Sequence, residues 1–144
     1  MSKPLVDQGA IVTGGARGIG LGIAKRLAAE GCRIALWDLS FQSFNATAAG
    51  FTPVSIQTVD IADLKAVQRA YEATVADLGD IDILVNNAGI NGPVANMWEY
   101  PTEAWDRVLA VDLTGAFYCT RVVLPGMRER RYGRIVNIAS MAGK

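Results

Sequence analysis

Apolar residues recur along this chain in short unbroken runs separated by stretches with helical spacing. The first run, Ala10-Ile11-Val12, predicts a strand over Gly9–Thr13. Behind it, Ile19, Ile23 and Leu27 fall four residues apart with Ala24 and Ala28 beside them, which predicts a helix that Gly31 ends. A second strand is expected over Arg33–Asp38 and a third over 54–59, which delivers Asp60. Residues 41–50 read as a short weak helix or a loop. Leu64, Val67, Tyr71, Val75 and Leu78 mark an amphipathic helix, and residues 81–85 a fourth strand. Residues 91–101 carry Gly92, Pro93 and Pro101 and read as a loop.

Thr102 is the expected N-cap of a long helix whose apolar positions are Trp105, Val108, Leu109, Leu113, Ala116 and Phe117. Pro125-Gly126 is expected to kink or interrupt it. After Gly133 a fifth strand is expected over 134–139. Near-continuous apolar strands alternating with helices predict an α/β fold with a parallel sheet covered on both faces. Right-handed crossovers then give a doubly wound, Rossmann-type sheet in the order 3-2-1-4-5. Such a sheet gathers the glycine turn, Asp38, Asp60, Asn87 and Ser140 at the carboxyl ends of its strands, where ligands bind.

Composition narrows the classes. With 51% hydrophobic and 19% charged residues, the 144-residue chain is globular and long enough for one substantial core. Lys plus Arg and Asp plus Glu are both 14, so bulk charge favours neither nucleic acid nor an anionic membrane. The basic cluster Arg128-Glu129-Arg130-Arg131 is expected to complement a helix C-terminus. The chain has no His, which excludes a His-based metal site or triad, and no metal is expected. Cys32 and Cys119 cannot form a secreted-type disulfide framework and read as small buried residues. Asp7 interrupts any signal-like N-terminal run, and no uncharged stretch reaches bilayer length, so a cytoplasmic protein is expected.

The chemistry begins at Thr13-Gly14-Gly15-Ala16-Arg17-Gly18-Ile19-Gly20. Glycines between a strand and a helix let main-chain N–H groups approach a phosphate, to which the helix N-terminus adds partial positive charge. The spacing is neither Gly-x-Gly-x-x-Gly nor a Walker loop. Gly14 turns the chain out of the strand, Gly18 allows close approach to a ligand, and Gly20 allows close helix packing. Asp38 lies 18 positions beyond Gly20, the place of an acid that binds the ribose hydroxyls of NAD and repels a 2′-phosphate. Arg17 pulls the other way, since a guanidinium can pair with that phosphate. Leu39-Ser40 adds no basic residue, so NAD is expected rather than NADP.

Together with Asn86-Asn87-Ala88-Gly89 and Gly133-Arg134-Ile135-Val136-Asn137-Ile138-Ala139-Ser140, the glycine turn resembles the short-chain dehydrogenase/reductase family over about residues 8–144. The resemblance implies that Asp60 bonds the adenine amino group with Ile61 beside it. It sets Asn87, Ala88 and Gly89 against the cofactor ribose and the sheet, with Asn86 structural. It also lays Ile138 on the nicotinamide ring, alongside the contacts of Ile19 and Leu39. Ser140 would donate a hydrogen bond to the substrate carbonyl, where hydride transfer builds charge. Asp112 stands where the family usually has Asn in a proton relay.

The family's Tyr-x-x-x-Lys lies downstream of that Ser, and only four residues follow Ser140 here. The sequence is therefore expected to be the N-terminal portion of a longer protein: one NAD(P)-binding domain, incomplete at its C-terminus. The implied activity is hydride transfer between NAD(H) and a secondary alcohol or ketone, with a 3-oxoacyl-thioester reductase as the alternative enzyme. A non-catalytic NAD-binding module is the rival class. A homo-oligomer, tetramer or dimer, is expected through the 102–130 helix.

Overall fold

The computed structural model describes residues 4–141. Five parallel strands form one sheet in the order β3-β2-β1-β4-β5, as the sequence predicts. They are β1 (Gly9–Thr13), β2 (Arg33–Asp38), β3 (Ser55–Thr58), β4 (Ile83–Asn86) and β5 (Arg134–Asn137). Between them run α1 (Gly18–Ala29), the single turn α2 (Ala46–Ala49), α3 (Leu64–Leu78), α4 (Thr102–Leu109) and α5 (Ala116–Arg130). A π-helical turn over Ala110–Gly115 joins α4 to α5.

The strands alternate between two cores, as period-two geometry requires. Ala10, Val12, Ile34, Leu36, Ile83 and Val85 pack with Ala24 of α1 on one face. Ile11, Ala35, Trp37 and Leu84 pack with Val67 of α3 and with Cys119 and Val123 of α5 on the other. Trp37 is fully buried, and its indole N–H donates to Thr74 Oγ1 at 2.9 Å, so its one polar group is not stranded. At the opposite ends of the strands, Arg130 donates to the Ile81 carbonyl at 2.7 Å and pairs with Asp80 and Asp82. The basic cluster does lie at a helix C-terminus, but Arg130 is spent on fastening α5 to the entrance of β4.

Several local expectations need correction, and β5 ends at Asn137, two residues short of the expected strand. Thr102 is the first residue of α4, and Pro101 occupies the cap position. Its ring presets the helical entry and lacks only an N–H that the first turn would leave unpaired anyway. Pro125 does not interrupt the helix. It lies on the exposed side of α5, where the carbonyl it leaves unpaired can reach water. The irregularity comes earlier, in the π turn. Finally, β4 starts two residues later than predicted, because Ile81 turns its carbonyl to Arg130, although its side chain is buried.

The helical stretch Thr102–Arg130 is long and apolar enough to cross a membrane by length and composition alone. Here it packs along the sheet through Val111, Gly115, Cys119, Val123 and Met127. Its other side leaves Trp105, Leu113 and Phe117 exposed.

Candidate functional site

The turn after β1 is shaped by two glycines with positive φ, Gly14 at 63° and Gly18 at 58°. A Cβ on Gly14 would sit 2.9 Å from Ala88 Cα, while one on Gly18 would meet nothing within 4 Å. Gly14 therefore serves the packing of the turn, and Gly18 leaves its outer side open. A Cβ on Gly20 would fall on the Gly14 carbonyl oxygen, so Gly20 packs on the turn itself. The amide of Ala16 donates to Asp38 Oδ2 at 3.0 Å and that of Gly15 to the Trp37 carbonyl at 3.2 Å, which ties the turn to the end of β2.

α1 starts behind this turn with no side-chain cap and no acidic residue in its first turn. By contrast, Asn45 caps α2 and Asp63 caps α3. The first N–H groups of α1 are thus left for an external acceptor, which the helix field makes an anion.

Thr13 holds the neighbouring wall. Its hydroxyl donates to the Val85 carbonyl at 3.3 Å and accepts the N–H groups of Asn87 and Ala88, both at 3.0 Å. The Asn87 side-chain amide donates to the carbonyls of Thr13 (3.0 Å) and Gly14 (3.2 Å). These bonds commit the Asn87 side-chain amide to the strand end and the glycine turn. In the sequence Thr13 stands only as the residue before the glycine turn. A hydroxyl residue at a buried strand end directly before a glycine is the signal that could have marked its role.

Two cavities open along the carboxyl ends of the strands. The smaller, about 260 Å³, is lined by Gly14, Arg17, Gly18, Asp38, Leu39, Asp60, Ile61 and Val111 among others. The larger, about 700 Å³, takes in Ile19, Asp112, Leu113, Phe117, Ile138 and Ser140. Asn87, Ala88, Gly89 and Ile90 line both, so the two are lobes of one crevice. Every candidate residue named from the sequence borders one lobe except Gly20, which packs beneath the turn.

In the smaller lobe the carboxylates of Asp38 and Asp60 stand at adjacent strand ends. Asp38 Oδ1 accepts the Leu39 N–H at 2.8 Å in addition to the Ala16 bond. Asp60 Oδ1 accepts the Ala62 N–H at 3.0 Å, and its Oδ2 pairs with Arg107 Nη1 at 3.0 Å. Arg107 was missed from sequence, because nothing local links it to a strand end 47 positions away.

In the larger lobe, Asp112 Oδ1 accepts the Ile90 N–H at 2.8 Å. Asp112 thereby holds the segment between the lobes, using an acceptor that Asn at this position would also have. Beneath it, Asn86 Nδ2 donates to Asn137 Oδ1 at 2.9 Å and to Thr120 Oγ1 at 3.1 Å, joining β4, β5 and α5. Ile138 is two-fifths exposed and offers an apolar surface, and Ser140 follows at the strand's end. Neither cysteine belongs to this chemistry. Burial pushes the Cys119 thiol up to about 12 and also raises that of Cys32, so both stay protonated and unreactive near neutrality.

Residues 8–144 match the family described as short chain dehydrogenase. The chain is 47% identical over 135 residues to 2-dehydro-3-deoxy-L-rhamnonate dehydrogenase (NAD(+)) of Sphingomonas sp. (strain SKA58), covering 94% of this chain and 54% of that protein. It is 41% identical over 138 residues to D-beta-hydroxybutyrate dehydrogenase of Cupriavidus necator, covering 93% of this chain and 53% of that one. Among solved structures, NAD+-bound xylitol dehydrogenase superposes with a TM-score of 0.89 at 37% identity, over 97% of this chain and 55% of the other. Levodione reductase gives a TM-score of 0.90 at 34% identity, over 96% and 56%. The chain thus spans about half the length of the relatives it matches.

Proposed function

The chain belongs to the short chain dehydrogenase family, and from that premise we propose that the complete protein is an NAD-dependent oxidoreductase acting on a small secondary alcohol or its ketone. One observation carries this reading. A two-lobed crevice crosses the strand ends, and an uncapped helix N-terminus and a glycine turn border it between a carboxylate pair and a serine. The residues present fit the cofactor. The first amides of α1 and the open side of Gly18 suit the diphosphate, Asp38 the adenosine ribose, and Ile19 and Ile138 the flat nicotinamide face. Bound NAD would supply the hydride acceptor, and NADH the donor.

The chain's own part is to bind and orient. Asp38 keeps lone pairs beyond its two amide bonds and offers them to the ribose hydroxyls. Asp112 fixes the wall at Ile90. Ser140 directs its hydroxyl at the substrate oxygen, where negative charge grows as a carbonyl is reduced. The NAD-dependent dehydrogenases among its relatives support the cofactor.

Calorimetry on the complete protein tests the ribose assignment. NAD is expected to bind more tightly than NADP, and Asp38→Ala to shrink that preference by roughly ten- to a hundredfold, the worth of charge-assisted hydrogen bonds plus a removed repulsion. Equal affinities that the substitution leaves unchanged would contradict it. The same reading extends to a homo-oligomer in which a second copy packs on the exposed side of the 102–130 helix at Trp105. A monomeric mass for the complete protein in light scattering would remove that part.

A further inference from the structure

We propose that Arg107 is a positioning residue of the smaller lobe, holding the Asp60 carboxylate so that the site selects a 6-amino purine over a 6-oxo purine. The inference rests on assigning that lobe to adenosine. A carboxylate has about four lone-pair positions and no donor. In Asp60 one oxygen is taken by the Ala62 N–H and the other by Arg107, at 3.0 Å each. What remains can accept from the exocyclic amino group of adenine. It repels the carbonyl oxygen that hypoxanthine carries at the same place.

A purine lying on Asp60 removes it from water, and a carboxylate so covered is costly unless a cation stays with it. Arg107 is that cation, and it approaches from the helix, outside the lobe lining.

The helix is seated to keep it there. Val111, 5% exposed, forms part of the lobe wall. A Cβ on Gly115 would come within 2.6 Å of Ile61 Cγ1, so the absence of a side chain lets the helix close on the residue next to Asp60. Arg107, Val111 and Gly115 therefore meet residues 60–61 and the lobe from one side of the helix. α4 itself buries no residue, so this ion pair is its charged tie to the sheet. Both partners are about two-fifths exposed, which leaves the carboxylate reachable while the pair is formed.

The test compares NAD with nicotinamide hypoxanthine dinucleotide on the complete protein, by calorimetry and by steady-state kinetics. Arg107→Gln is expected to weaken NAD binding and raise its KM about tenfold, with kcat at saturation and the affinity for the hypoxanthine analogue each within about twofold. Arg107→Lys keeps the cation and is expected to retain most of the preference for NAD. Equal weakening of both dinucleotides, no weakening of either, or a Lys variant as indiscriminate as the Gln variant would overturn the proposal. The assignment beneath it is judged separately. An unsubstituted protein that binds both dinucleotides equally, or one whose preference survives Asp60→Asn, removes adenine from Asp60 whatever Arg107 does.

Discussion

Ser140→Ala in the complete protein is expected to lower kcat about 100- to 1,000-fold, the range for losing one aimed donor to a developing oxyanion. The affinity for NAD should stay within about twofold of the parent, because the hydroxyl acts only where charge appears during reaction. Ser140 is exposed and follows the end of β5 at Asn137. Its neighbours make the assignment specific. Ile138 stands two residues earlier in the same lobe, and the Asn86–Asn137 bond fixes the strand from which both project. Single-turnover rates and NAD titrations on the same preparation separate the two effects. A fall of less than about threefold in kcat, or a matching loss of NAD affinity, would take Ser140 out of this role.

Gly20→Ala is expected to abolish measurable NAD binding and to destabilise the fold by about 1–3 kcal/mol, the usual cost of forcing atoms into a packed site. The added carbon would land on the Gly14 carbonyl oxygen and lie 2.5 Å from Asn87 Nδ2. Both atoms belong to the turn that positions the amides, so relief requires the turn to move. Gly22 provides the control on the same helix, because a Cβ there meets nothing within 4 Å. Gly22→Ala is expected to be neutral or to stabilise by up to about 1 kcal/mol, since alanine is the better helix former. Urea unfolding and calorimetry on both variants give the comparison. A Gly20→Ala protein that binds NAD as the parent does would contradict the described packing.

Much of this architecture is legible in the chain, for identifiable reasons. Parallel strands covered on both faces must be apolar throughout, so β1, β2 and β4 show as runs. The crossover rule then leaves few strand orders. The glycine turn and Asp38 can be read because their spacing is set by one βαβ unit. The π turn could not be. It shifts the phase of a helix by a single residue, and apolar positions flank it on both sides.

Arg107 and Thr13 escaped for another reason. An ion pair across 47 positions and a hydroxyl serving amides more than 70 positions away are consequences of the fold, and no local pattern encodes them. Pro125 leaves α5 uninterrupted because the penalty for an interior proline shrinks where the freed carbonyl faces water.

All of these assignments depend on a dinucleotide that spans both lobes with its diphosphate on the amides at the start of α1. A crystal structure of the complete protein with NAD tests it most directly. Phosphate oxygens are expected on main-chain N–H groups within residues 14–20, the adenosine between Asp38 and Asp60, and the nicotinamide beside Ile138 and Ser140. A dinucleotide bound elsewhere, or one running in the opposite direction along the crevice, would contradict it.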